Sequence, residues 1–158
     1  MTARIPMNET EPVSKTRLRL WLKLLKASNR IEDEIRRKLR EDYQSTLPRF
    51  DVMSALFRYP DGLKMSEISD LLRVSNGNIT GIVDRLTQEG LAERASVPGD
   101  RRASLVRLTD TGRSAFAEHA AAHEGWIDRL LTGLSEEDTA AMIARLDKLI
   151  DTLEDPRP

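Results

Sequence analysis

Cysteine is absent from the 158 residues, which excludes disulfides, thiolate metal sites and thiol redox chemistry. Aromatic residues make up only 4% of the chain, which argues against a large β-sandwich. No apolar run approaches the ~20 residues of a membrane span, so no membrane partner is expected. The first residues lack a secretory apolar core, and the cytoplasm is the expected compartment. Excess charge is missing too. With 25 Lys/Arg against 26 Asp/Glu, affinity for a polyanion has to come from local patches. The many acids stand beside neither a glycine-rich phosphate loop nor a nucleophile motif, so no catalytic residue and no cofactor are assigned, and an enzyme is not expected. His119 and His123 are four apart and share a helical face, a spacing open to a metal. A third ligand is not evident, and histidines lining an interface or pocket are the preferred reading.

What is present is 39% hydrophobic and 32% charged residues, the profile of a strongly helical single domain, or one domain with helical extensions. Its centre runs from Lys64 to Gly112. Ile79, Ile82, Val83 and Leu86 repeat at i, i+3, i+4, i+7, one buried helical stripe. At 100° per residue the opposite face collects Gly77, Gly81 and Asp84, flanked by Asn78, Thr80 and Arg85. Two glycines cost a helix roughly 1 kcal/mol each against alanine, and close approach of another molecule is one reason to keep them. An apolar back and a small, amide-bearing front suit the DNA major groove. Before it, Ser66–Leu72 forms a short helix with Ser66 as N-cap, and Arg73-Val74 makes a tight connection. After Gly90, Leu91–Val97 and Ser104–Leu108 read as two strands around a Pro98-Gly99-Asp100 turn, with Arg101 and Arg102 at the tip. Helix-turn-helix followed by a basic hairpin is a winged helix. The fold class is mainly α with a small two-stranded β wing.

The run Asp100-Arg101-Arg102-Ala103-Ser104-Leu105-Val106-Arg107-Leu108-Thr109-Asp110-Thr111-Gly112 resembles the Asp-x-Arg…Leu-Thr-x-x-Gly wing signature of the MarR family of transcriptional regulators. Val83-Asp84-Arg85-Leu86 and the long flanking helices fit that family as well. The resemblance implies a recognition helix at about 75–89 in the major groove and a wing at about 97–104 in the minor groove. Arg102 takes the place of the groove-reading arginine, Asp100 orients it, and Arg101 contacts phosphate or groove. Ser66, Ser75, Asn76, Gly77, Asn78, Thr80, Gly81 and Arg85 complete the expected DNA-binding set.

Around this lobe (47–112) lie a polar arm (1–13), an N-terminal helix (14–46) and C-terminal helices (113–158). Ile31, Ile35, Leu39 and Tyr43 stripe the first helix, extended by Leu18, Trp21, Leu22 and Leu25. Thr46-Leu47-Pro48 starts the next, with Phe50, Met53, Leu56 and Phe57 on its apolar face. Thr109 or Thr111 caps a helix to about Leu131. Ser135 caps a last one, striped by Met142, Leu146, Leu149, Ile150 and Leu153. Lys15–Arg40 holds ten Lys/Arg against three acids, whereas Asp110–Asp155 holds eleven acids against four Lys/Arg. The resemblance implies that these terminal helices interlock two subunits as a homodimer.

The basic helix has two readings, packing against acidic helices or holding an anionic effector. MarR-like regulators bind aromatic carboxylates, and some answer to acyl-CoA thioesters, whose phosphates suit clustered arginines. Trp21, Ser28, Asn29, Arg49, Met53, Phe57 and His119 are the candidate pocket, with Arg36 and Arg37 for phosphates. The expected function is a homodimeric repressor on a palindromic operator, released by a small anionic or aromatic molecule. The alternatives are a ligand-independent architectural DNA binder and a helical protein-interaction module.

Overall fold

The computed structural model describes residues 11–72 and 76–155, without the side chains of Asn76, Arg101 and Arg102. The four-residue steps of Ile31, Ile35, Leu39 and Tyr43 fall on the C-terminal half of α1 (Val13–Tyr43), where Ile35 and Leu39 are buried. Gln44 then turns left-handed at φ 50°. Its N–H donates to the Arg40 carbonyl at 3.1 Å, and the Ser45 N–H donates to that of Leu39 at 3.0 Å. This closure usually falls to glycine. Thr46 caps α2 (Leu47–Arg58) by accepting the Arg49 N–H at 3.3 Å, with Pro48 in the first turn. Phe50, Val52, Met53, Ala55 and Leu56 of α2 are buried.

At Gly62, φ 104°, an added Cβ would stand 3.0 Å from the Val106 carbonyl oxygen, and β1 (Leu63–Lys64) follows directly. A strand of two residues carries no readable period, which is why a two-stranded wing was expected. The sheet has three antiparallel strands in the order β1-β3-β2. β1 runs directly into α3 (Met65–Leu72), leaving no loop residue for a cap; Ser66 is the second helical residue rather than the N-cap. The helix expected to read DNA, α4 (Asn76–Gln88), closes at Gly90, φ 74°, with the Leu91 N–H donating to the Leu86 carbonyl.

β2 (Ala92–Val97) and β3 (Asp100–Leu108) pair around Pro98-Gly99. β3 starts at Asp100 rather than at Ser104, because the register jumps from Ser96↔Ser104 to Val97↔Asp100. Arg101–Ala103 are thereby the unmatched residues, a bulge at the hairpin tip.

α5 (Asp110–Leu130) begins at the Leu-Thr-x-x-Gly signature, each part of which has a job. Leu108 is buried. The Thr109 hydroxyl donates to the Gly90 carbonyl at 2.7 Å and accepts the Gly112 N–H at 3.0 Å. Gly112 lies against the Leu91 carbonyl, where a Cβ would stand 1.9 Å away. The Phe116 ring packs between Phe50 and Phe57 at 5.2 and 5.1 Å, and Arg113 covers Phe57 at 4.6 Å.

Two units divide the chain at Ala120/Ala121. The first holds α1 to the start of α5 and a core of Leu39, Val52, Met53, Leu56, Ile68, Ile79, Val83, Leu86 and Val106. The second holds the rest of α5 and α6 (Glu136–Glu154), capped by Ser135 accepting the Asp138 N–H at 3.1 Å. No α6 residue is buried, and Met142, Leu146, Leu149, Ile150 and Leu153 are all exposed. In α1, Leu18, Trp21, Leu22 and Leu25 are exposed as well.

Candidate nucleic-acid interface and the adjoining cleft

The expected recognition helix, α4, presents three faces. Ile79, Val83 and Leu86 anchor it in the core. Gly77, Gly81, Arg85 and Glu89, a row at steps of four, border a cleft of about 690 Å³ together with Asn78 and Ile82. Thr80, Asp84 and Gln88 fill the remaining, exposed face. The front expected from the sequence is therefore split. Gly77, Asn78, Gly81 and Arg85 turn toward the cleft, while Thr80 and Asp84 stand clear of it. A Cβ on Gly77 or Gly81 would meet nothing within 4 Å, so internal packing does not require either glycine.

Asp84 accepts a 2.6 Å hydrogen bond from Arg94 of β2, tying the recognition helix to the base of the wing. Only its place in the strand directly after α4 marks Arg94 in the sequence. Glu93 and Arg107 pair across β2 and β3 at 2.6 Å. Ser66 is exposed on α3 and Asp100 on β3. Ser75 lies outside the described residues, and so do the side chains of Asn76, Arg101 and Arg102.

Across the cleft from α4 stand the end of α1 and start of α2 (Tyr43, Gln44, Ser45, Thr46, Arg49) and His119 of α5. Arg49 forms an ion pair with Glu89. The Tyr43 and His119 rings meet at 4.0 Å between centroids. Burial, and then the Arg49 charge, hold His119 below its ordinary pKa against the opposing pull of Glu118. Burial also lowers His123. Among the described residues no cluster of three His, Cys, Asp or Glu is arranged for a metal.

Of the nine pocket candidates read from sequence, Arg49 and His119 border this cleft. Met53 is in the core, and Phe57 is taken up by Phe116 and Arg113. Trp21, Ser28 and Asn29 are exposed on α1. Arg36 pairs with Glu32 and Asp33, and Arg37 pairs with Glu34 and Glu41. Tyr43, Gln44, Ser45, Thr46 and Glu89 were missed, since a cleft assembled from three separate segments leaves no period in the sequence.

Residues 44–103 match the sequence profile of the MarR family. The chain is 28% identical over 121 residues to the HTH-type transcriptional regulator MhqR of Bacillus subtilis, covering 77% of this chain and 82% of that protein. The crystal structure of a MarR family transcriptional regulator from Silicibacter pomeroyi aligns with a TM-score of 0.75 at 30% identity, over 92% of this chain and 100% of that one. Streptococcus pneumoniae FabT, crystallised in complex with DNA, aligns at 0.71 and 26% identity, over 88% of this chain and 98% of that one. A buried-backed recognition helix beside a three-stranded wing defines a winged-helix DNA-binding protein. The chain belongs to the MarR family and is a DNA-binding transcriptional regulator; its relatives are regulators, not enzymes.

Proposed function

We propose that this chain works as a homodimeric repressor that leaves a palindromic operator when a small aromatic acid enters the cleft behind its recognition helix. The observation that carries this is the cleft itself. It is roomy enough for a small ligand, and it sets Arg49 and His119 across from Arg85 of the helix expected to read DNA. An occupant touching α4 directly biases the helix position and shifts the population of DNA-competent dimers. Recognition helices then no longer match successive major grooves.

The dimer rests on surfaces that a single chain leaves open. Contiguous exposed apolar stripes on a protein with no membrane-spanning helix among its described residues mark an interaction face. The basic α1 and acidic α6 regions supply opposite charges for a second copy. Arg36 and Arg37 are each already held by two carboxylates of α1, which favours a free acid over an acyl-CoA whose phosphates would need them.

The test is binding to a duplex that the protein selects from random sequence, followed by titration with aromatic acids and their CoA thioesters. Release by free acids is the expected result; a duplex retained against both sets overturns the effector reading. On the same duplex, Arg102→Ala is expected to cost about 1–3 kcal/mol of binding at fixed salt, with fold and assembly unchanged. Unaltered affinity by fluorescence anisotropy removes Arg102 from the interface.

The cleft also predicts a proton. Tyr43 and Arg49 act on His119 from α1 and α2, Arg85 and Glu89 share its cleft from the α4 side, and Glu118 stands beside it on α5. A ligand carboxylate adds negative charge there and raises the depressed His119 pKa, so binding takes up a proton. Affinity is expected to fall as pH rises from below the ordinary imidazole value of about 6.5 through the raised pKa of the complex, by less than about tenfold per pH unit, the ceiling for one linked proton. Calorimetry in buffers of different ionisation enthalpy reads the uptake directly. His119→Gln should abolish it.

A further inference from the structure

We propose that Glu89 is the cleft's resident anion: it holds Arg49 while the cleft is empty, and an incoming carboxylate takes its place and thereby frees the end of the recognition helix. The inference rests on the cleft being the effector site and adds how occupancy is transmitted.

Both members of the Arg49–Glu89 pair sit at the wrong end of their helices. Arg49 is the third residue of α2, where the helix dipole disfavours a cation. Glu89 is the first residue beyond α4, where the dipole disfavours an anion. Neither charge supports its own helix, and what they achieve together is a strut between α2 and the end of α4. The ion pairs of Arg19, Arg36, Arg37, Arg94 and Arg107 join positions 14 or fewer apart, whereas this one spans 40. Glu89 is also the one acid among the described residues lining the cleft, against Arg49, Arg85 and His119.

The pair is suited to exchange. Both side chains are partly open to solvent, so their attraction is screened and weak. A ligand carboxylate in the cleft would gain the same charge-assisted bonds from Arg49 and lie near the positive start of α2, beside Thr46 and Ser45. Glu89 gives up little by returning to water. The balance is then decided by whatever apolar body the ligand lays against Tyr43 and Ile82. Glu89 leads through Gly90 and Leu91 into β2, so loss of the strut reaches both the recognition helix and the base of the wing.

The experiment uses the full chain, benzoate as probe, and the His119 imidazole signal in NMR, assigned with His123→Gln. Glu89→Gln keeps the side-chain shape and removes the competing charge. It is expected to bind benzoate about tenfold more tightly than wild type and, without benzoate, to bind the selected duplex about tenfold more weakly. Deleting an acid from a DNA-binding lobe would by itself tighten phosphate binding, so weakening is opposite in sign to a bulk charge effect. If benzoate shifts His119 with equal affinity in both proteins, and the duplex affinities match, Glu89 is a surface pair and the exchange is overturned while the cleft stands. If benzoate shifts His119 in neither protein, the cleft reading falls and the exchange with it.

Discussion

Gly112→Ala is expected to cost about 3 kcal/mol of stability, the upper end for overpacking, and to lower the melting temperature by roughly 10 °C. The added methyl would stand 1.9 Å from the Leu91 carbonyl oxygen, a backbone atom that cannot rotate away. Relief requires α5 to lift off the base of the wing. That movement breaks the Thr109 N–H bond to the Leu91 carbonyl and the Thr109 hydroxyl bond to Gly90, at 3.0 and 2.7 Å. DNA binding should fall with stability, because the same junction sets the angle of β2 and β3. Gly125→Ala on the same helix is the internal comparison. Its new methyl meets only an Arg129 guanidinium nitrogen of that helix at 3.7 Å, so it should stabilise by about 0.5–1 kcal/mol, the helix-propensity gain alone. Thermal unfolding of both variants checks the pair. If Gly112→Ala melts like wild type, the close approach of α5 to Leu91 is absent in solution.

Leu146→Glu combined with Ile150→Glu is expected to give a folded monomer that binds the selected duplex about 10²–10⁴-fold more weakly. Both residues are exposed in the single chain, at 37% and 47%, so the substitutions disturb little packing of the described fold. In a dimer they would place four carboxylates in an apolar seam, a cost that assembly cannot absorb. The loss on DNA is large because each lobe reads one half-site, and uncoupled lobes forfeit the effective concentration that links the two binding events. Sedimentation velocity and anisotropy on the same samples make the check. A wild-type chain that sediments as a stable monomer at micromolar concentration overturns the dimer, and a dimeric double variant moves its seam away from α6.

How far the sequence could be read depended on the range of the interaction that decided each feature. Ile79, Ile82, Val83 and Leu86 announced an inward face because a helix repeats every 3.6 residues; Ile79, Val83 and Leu86 are in the core, while Ile82 is half-buried and borders the cleft. Ser135 announced a helix start because a cap and its amide partner lie three residues apart, and Pro48 announced another because proline suits a first helical turn. The basic hairpin after the second helix, and the Leu-Thr-x-x-Gly run closing it, were legible for the same local reason, and they sufficed to suggest the family.

The face of α4 opposite that stripe was a different matter. Periodicity says which face is polar, not what it meets, and one polar front proved to be two. One part, through Gly81 and Arg85, lines a cleft with the α1–α2 corner and His119; the other, through Thr80 and Asp84, stays open. Phe57 and Met53 read as pocket residues by composition, yet packing against Phe116 and burial in the core claimed them. Gly112 was recognisable as part of a signature, but only the approach of Leu91 from 21 positions away explains why a glycine must stand there. Short-range order leaves a period or a fixed spacing in the chain. Contacts between distant segments leave neither, and here they alone determined which charges share the cleft.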